Sequence, residues 1–194
     1  MNKDNSSWII RRKLPKRIVD IIEEESYKVP WYFFKDCAFL YDDAKRKNLP
    51  MHPYFSHSLS AMPPSYKHLD NPKNYPTACS DHYKFFPMDF ISEFVFRKNK
   101  CMLRSHITFQ FPAKHKFGKP HNAHVDQEFP HDVVLYYIND ADGDTFFFDK
   151  DKNIIHRETP ERGKLVIFDG STFHSSSAPS TNIRMTLNIN YERT

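Results

Sequence analysis

Cysteine is nearly absent from this chain. Cys37, Cys79 and Cys101 are odd in number, scattered and without C-x-x-C spacing, which argues against a disulfide framework or a thiolate metal site and leaves them as buried or inert thiols. Long apolar runs are missing too: nothing approaches the roughly 18 consecutive apolar residues of a membrane helix. The opening MNKDNSSWIIRRKLPKR is too polar for a secretory signal. The expectation is a soluble protein of the cytoplasm, or of a host cytoplasm if the chain is viral. A strong charge of one sign is also lacking. A net charge of +4 and a pI near 8.8 tolerate an anionic small ligand but fall short of a nucleic-acid footprint. The basic stretches 45–48 (KRKN) and 97–100 (RKNK) read as solvated loops. There is no internal repeat, and no Ser/His/Asp arrangement on a nucleophile elbow.

Glycine is scarce and unevenly placed. Gly118, Gly143, Gly163 and Gly170 all lie beyond residue 117, whereas eight of the fourteen prolines fall between Pro30 and Pro87. Residues 1–100 are therefore expected to form a helical, loop-rich support and residues 101–194 a strand-rich core, together one domain: 194 residues with 39% hydrophobic content suit a single core. In the first part, Ile18, Ile21 and Ile22 beside a Glu23–Glu25 run predict an amphipathic helix over Pro15 to Ser26. The proline-broken stretch from Pro50 to Pro76 predicts an irregular loop, a candidate flap. Phe85 to Phe96 is a short buried helix or mixed segment that periodicity does not settle.

The second part reads as strands at Met102 to Phe111, Val133 to Ile138, Thr145 to Asp149, Lys164 to Phe168 and Arg184 to Tyr191, the last expected to close the sheet. Turn-rich segments separate them at 139–144, 149–153, 159–163 and 177–182. NDADGD at 139–144 is a hairpin turn rather than a calcium loop: aligning Gly143 with the loop glycine puts Ile138 where the first carboxylate belongs.

Within this frame, His124 and Asp126 in PHNAHVD, His174 in FDGSTFH and Arg184 in NIRMTLNINY stand out. Two imidazoles and one carboxylate on one face of an octahedral ferrous ion leave three positions for a bidentate cosubstrate and dioxygen. His124 and Asp126 are two apart, so an extended strand would project both to one face with Val125 pointing away. His174 lies much further along, and the return of intervening strands in a barrel or jelly roll would bring it to the same spot. His121 is out of register for ligation.

The stretch from Arg104 to Tyr191 resembles the 2-oxoglutarate and Fe(II)-dependent oxygenases, in particular the prolyl 4-hydroxylase-like branch and its small phage and bacterial members. The resemblance rests on HVD, VVLYYINDADGDTFFFD, PERGKLVIFDGSTFHSSSAP and RMTLNIN, in that order. It implies a mainly β fold, a double-stranded β-helix (jelly roll) with N-terminal helices packed on the barrel. It implies iron ligation by His124, Asp126 and His174, with no catalytic residue beyond the metal centre. Arg184 would pair with the distal carboxylate of 2-oxoglutarate, which a planar guanidinium suits. Thr186 would add a hydroxyl and Tyr137 a phenol. An earlier donor, on the strand before the HxD motif, has three candidates in His106, Thr108 and Gln110; Arg104 reads as structural.

The implied cofactors are Fe(II), 2-oxoglutarate as cosubstrate and dioxygen, with ascorbate as an accessory reductant. The implied reaction is hydroxylation of a C–H bond of a peptidyl, prolyl-like or small-molecule substrate, with release of succinate and CO2. Nucleic-acid dealkylases of this superfamily carry a second arginine six residues after the first, where this chain has Asn190, and this argues against a nucleic-acid substrate. Two other readings use the same residues: a cupin-like jelly roll holding zinc or manganese for non-oxidative chemistry, which leaves Arg184 unexplained, and a non-catalytic binding module on the same scaffold.

Overall fold

A computed structural model describes residues 8–34, 53–61, 77–114 and 117–193. Its strands are β1 (Ile10–Lys13), β2 (Tyr32–Phe34), β3 (Tyr54–Ala61), β4 (Thr77–Ala78), β5 (Met102–Gln110), β6 (His131–Tyr137), β7 (Thr145–Phe148), β8 (Ile154–Glu158), β9 (Lys164–Asp169), β10 (Phe173–Ser176) and β11 (Arg184–Glu192). The helices are α1 (Lys16–Ser26) and α2 (Met88–Phe96), preceded by a 3-10 turn at Asp81–Phe85. An eight-stranded antiparallel sheet runs β1-β9-β6-β11-β5-β3-β2 with β4 beside β3, and a three-stranded sheet runs β10-β7-β8.

The apolar runs are explained by burial on both faces of the larger sheet. Val134, Tyr136, Leu165, Ile167, Met185, Leu187 and Ile189 join Val19 and Ile22 of α1 and Met88, Ile91 and Val95 of α2 in one core. The alternate residues Val133, Leu135, Tyr137, Val166 and Phe168 join Phe147 of the smaller sheet in a second core. Strands sandwiched in this way read as continuous hydrophobic runs. Helix α1 starts at Pro15, whose carbonyl accepts the Ile18 and Val19 amides, and burying its Val19 and Ile22 side chains contributes about 1.5–3 kcal/mol each. Arg162 clamps the helix from the turn before β9, donating to Glu23 and Asp20 at 2.8 Å.

Four expectations need correction. The support region is more than helix and loop, because β1, β2, β3 and β4 all belong to the larger sheet. The part of the Pro50 to Pro76 segment that lies in the described residues holds β3, a strand paired with β5 rather than a flap; residues 50–52 and 62–76 lie outside the described residues. Its serines hide the alternation, since Ser56 and Ser60 are buried and bond to Ile107 O and Ser105 Oγ of the neighbouring strand. Strand β11 does not close the sheet but lies between β5 and β6. In the 97–100 loop, Lys100 is ion-paired with Asp132 and packed over the Phe96 ring rather than solvated. The 45–48 stretch and Cys37 lie outside the described residues. No helix among the described residues is long and apolar enough to cross a membrane.

Candidate metal centre and cosubstrate cavity

His124 and His174 are brought together by the backbone. Each donates its amide to the other's carbonyl, at 3.0 and 2.9 Å, forming an isolated antiparallel bridge between the 120–126 segment and β10. The HVD segment is thus a single bridge followed by a bend at Asp126, not a strand end, and Val125 is among the residues lining the cavity instead of turning away. Nδ1 of His124 bonds to Asn122 O at 3.1 Å and Nδ1 of His174 to Thr172 O at 3.0 Å. A carbonyl can only accept, so both Nδ1 atoms carry the proton and both Nε2 atoms present lone pairs. Those Nε2 atoms lie 4.0 and 3.9 Å from Oδ1 of Asp126, and one ligand atom from each residue falls within 4.8 Å of the others.

Asp126 is held on both oxygens. Oδ2 accepts Nδ2 of Asn188 and Nδ2 of Asn190, each at 2.9 Å, and Oδ1 is 2.9 Å from Nη2 of Arg104. Burial opposes its ionisation, but Arg104 and the neighbouring imidazoles outweigh that and hold the carboxyl well below the usual carboxylate range. Burial pushes His174 down to about 4, against the attraction of Asp126, so its ring is a neutral ligand near pH 7. Two imidazoles with their Nε2 atoms turned inward, an ionised carboxylate and fixed outer partners suit a divalent ion.

The other end of the cavity is built around Arg184, which is only 3% exposed. Its Nε donates to Gly143 O and its Nη2 to Thr145 Oγ1, both at 2.8 Å. Tyr137 is fully buried and its hydroxyl donates to the same Thr145 Oγ1 at 2.8 Å. Thr145 therefore stands between the phenol and the cavity, and with two donors on its oxygen it keeps its own proton for a third partner. Thr186 bonds through its hydroxyl to Thr108 at 2.6 Å. Of the three candidates for the earlier donor, Gln110 is the cross-strand partner of Arg184, Thr108 of Thr186 and His106 of Asn188. All three line the cavity.

The cavity measures about 280 Å³, and His124, Asp126, His174, Arg184 and Thr186 all line it. Val133, Leu135 and Phe168 give it an apolar wall. His121 lies outside the ligand cluster, buried with its Nδ1 3.2 Å from Ser176 Oγ. Sequence reasoning missed Asn188 and Asn190 as supports of Asp126, Thr145 as the residue between Tyr137 and Arg184, and the cavity position of Arg104. The signal for the first pair was present: Arg184, Thr186, Asn188 and Asn190 repeat with period two, and all are buried on one face of β11.

No protein-family model and no curated protein matches this chain. Solved structures do match its fold, which is the double-stranded β-helix of 2-oxoglutarate/Fe(II) oxygenases. An oxidoreductase of the 2OG-Fe(II) oxygenase family from Burkholderia pseudomallei superposes with a TM-score of 0.69 at 12% identity, covering 96% of this chain and 86% of that one. A prolyl-4-hydroxylase from Pseudomonas putida gives 0.52 at 14% identity, over 98% and 96%. A prolyl hydroxylase from Trichoplax adhaerens, in complex with a peptide fragment of the hypoxia inducible factor oxygen degradation domain, gives 0.59 at 12% identity, over 98% and 86%.

Proposed function

We propose that this protein is a 2-oxoglutarate- and dioxygen-dependent Fe(II) oxygenase, converting substrate C–H, 2-oxoglutarate and O2 into substrate C–OH, succinate and CO2. The observation that carries the reading is one cavity with a His124/Asp126/His174 cluster at one side and buried Arg184 at the other. The two Nε2 atoms and Asp126 would hold Fe(II), which would supply dioxygen activation and keto-acid chelation.

The chain's own tasks are binding, orientation and water exclusion. Asn188 and Asn190 fix the Asp126 carboxylate by Oδ2, which points Oδ1 toward the two imidazoles. Arg184 receives the distal carboxylate of 2-oxoglutarate, with the Thr145 hydroxyl proton as a second donor and Thr186 as a third. Tyr137 acts through Thr145, by occupying one acceptor site of its oxygen. The apolar wall of Val133, Leu135 and Phe168 lowers the local dielectric around the charged groups.

The reaction is hydroxylation of a C–H bond of a peptidyl, prolyl-like residue or of a small molecule. Fold relatives support both, since the Trichoplax enzyme is bound to a peptide and another is an epimerase from nogalamycin biosynthesis. The cytoplasm supplies the reduced iron and 2-oxoglutarate that the reaction needs, with ascorbate as reductant. The test is Fe(II)-dependent formation of succinate from 2-oxoglutarate under air. Succinate that requires both iron and oxygen, and disappears with Asp126→Ala, is expected; wild-type protein that forms none in the presence of iron contradicts the reading.

A further inference from the structure

We propose that Arg104 recognises the substrate, and that the substrate carries a carboxylate close to the C–H bond attacked. This rests on the oxygenase reading above and extends it from the cosubstrate to the substrate.

The first support is position. Arg104 and Arg184 both line the cavity but sit at its opposite ends: on β11 and β5, Arg104 faces Asn190 whereas Arg184 faces Gln110. Six residues of strand separate these pairs, about 20 Å at roughly 3.3 Å per residue. One arginine cannot do the other's work. The metal cluster lies toward the Arg104 end, since Asp126 contacts Arg104, Asn188 and Asn190.

The second support is anchoring. Nε of Arg104 donates to Asn190 Oδ1 and Nη2 faces Asp126 Oδ1, so the guanidinium plane is set by two residues that do not belong to a substrate. Nη1 has no partner among the described residues. The side chain remains 28% exposed although Asp126 beside it is 4% exposed, which puts an oriented donor edge between the metal cluster and solvent.

The third support is charge. The Arg and Asp/Glu side chains lining the cavity are Arg104, Arg184 and Asp126. Their sum is one positive charge. A divalent ion and the 2-oxoglutarate dianion cancel each other, so the loaded site retains that excess charge in a partly apolar cavity, where it is felt strongly. A monoanionic substrate balances it, and a carboxylate carries a single charge and matches a guanidinium edge with two parallel hydrogen bonds.

The experiment uses protein loaded with Fe(II) and saturating 2-oxoglutarate under argon, titrated with matched acids and amides: propionate against propionamide, N-acetylglycine against its amide, and N-acetyl-L-proline against N-acetyl-L-prolinamide. Binding is read by calorimetry and by perturbation of the visible iron–2-oxoglutarate absorption. The expected result is an acid that binds at least tenfold tighter than its amide in at least one pair, without displacing 2-oxoglutarate. Arg104→Gln brings that ratio to within twofold, and Arg104→Lys retains part of it. Equal binding within every pair, no binding by any member, or acids that bind only by displacing 2-oxoglutarate from Arg184 would each overturn the proposal, and the wild-type comparison decides this even if a variant fails to fold. Failure of the iron–2-oxoglutarate absorption to form overturns the oxygenase reading itself, and this inference with it.

Discussion

Asn190 and Arg104 face each other across β11 and β5 as register partners, and both reach Asp126, Asn190 at Oδ2 and Arg104 at Oδ1, each at 2.9 Å. One carboxylate is thus gripped from two adjacent strands. Its orientation toward His124 and His174 follows from the sheet rather than from the short segment that carries it.

Asn190→Ala removes one of the two amide donors on Oδ2 and the acceptor for Arg104 Nε. Loss of such an outer partner typically lowers metal affinity by about 10–100-fold. Competition titration with a metal indicator should show this loss with the circular dichroism spectrum unchanged. Affinity equal to wild type would mean that Asn188 and Arg104 hold the carboxylate without Asn190.

Gly143→Ala acts at the opposite end. A Cβ there would lie 2.6 Å from Ser177 O and 2.9 Å from Pro179 N, both backbone atoms, so the turn that offers its carbonyl to Arg184 must move. The expected cost is about 1–3 kcal/mol in stability, with 2-oxoglutarate affinity falling while metal affinity holds. Urea unfolding and calorimetry measure the two effects separately, and unaltered 2-oxoglutarate binding would show that Arg184 does not need this turn.

Thr145→Val and Tyr137→Phe separate direct from indirect cosubstrate contacts. Losing the threonine donor to a charged carboxylate is worth about 1.5–3 kcal/mol, so the dissociation constant of 2-oxoglutarate should rise roughly tenfold or more by that arithmetic. Tyr137→Phe, acting through Thr145, should raise it by less. A larger effect from the tyrosine would place its phenol on the cosubstrate.

Acid should destabilise the metal-stripped protein, starting below the ordinary histidine value of 6.5. Burial lowers His57, His106 and His174, the latter two to about 3 and about 4. Between those values and 6.5 the unfolded chain binds protons that the folded chain refuses, so stability falls as pH falls, by about 1.4 kcal/mol per pH unit for each histidine kept neutral. Asp126, depressed instead, adds a loss only below the ordinary carboxylate value of 3.8. Urea midpoints with chelator at pH 7.5, 5.5 and 4.5 check the slope; a midpoint that stays level or rises on acidification contradicts it.

Much of this was legible in the sequence, for identifiable reasons. Runs such as VVLYY and KLVIF are long enough to mark β6 and β9, and apolar spacing marks α1, although its buried face is Val19, Ile22 and Ser26 rather than Ile18, Ile21 and Ile22. Strand β3 was hidden because serine and histidine fill its buried positions and satisfy themselves by hydrogen bonds, which hydrophobic alternation does not register. Strand β1, IRRK, is mostly exposed at a sheet edge and reads as a charged tail. The triad was visible through residue chemistry, yet its supports were not: Arg104 is separated from Asn190 by most of the jelly roll, and only their pairing in the sheet makes them neighbours of Asp126.

The most direct test of the central claim is the visible absorption that forms when 2-oxoglutarate is added anaerobically to Fe(II)-loaded protein, compared among wild type, His174→Ala and Arg184→Ala. The expected result is a band in wild type, none in His174→Ala, and a band in Arg184→Ala that needs at least tenfold more 2-oxoglutarate, a loss of about 1.4 kcal/mol or more. Iron-loaded wild type without a band would contradict the account and leave the cavity to a metal with non-oxidative chemistry or to binding alone.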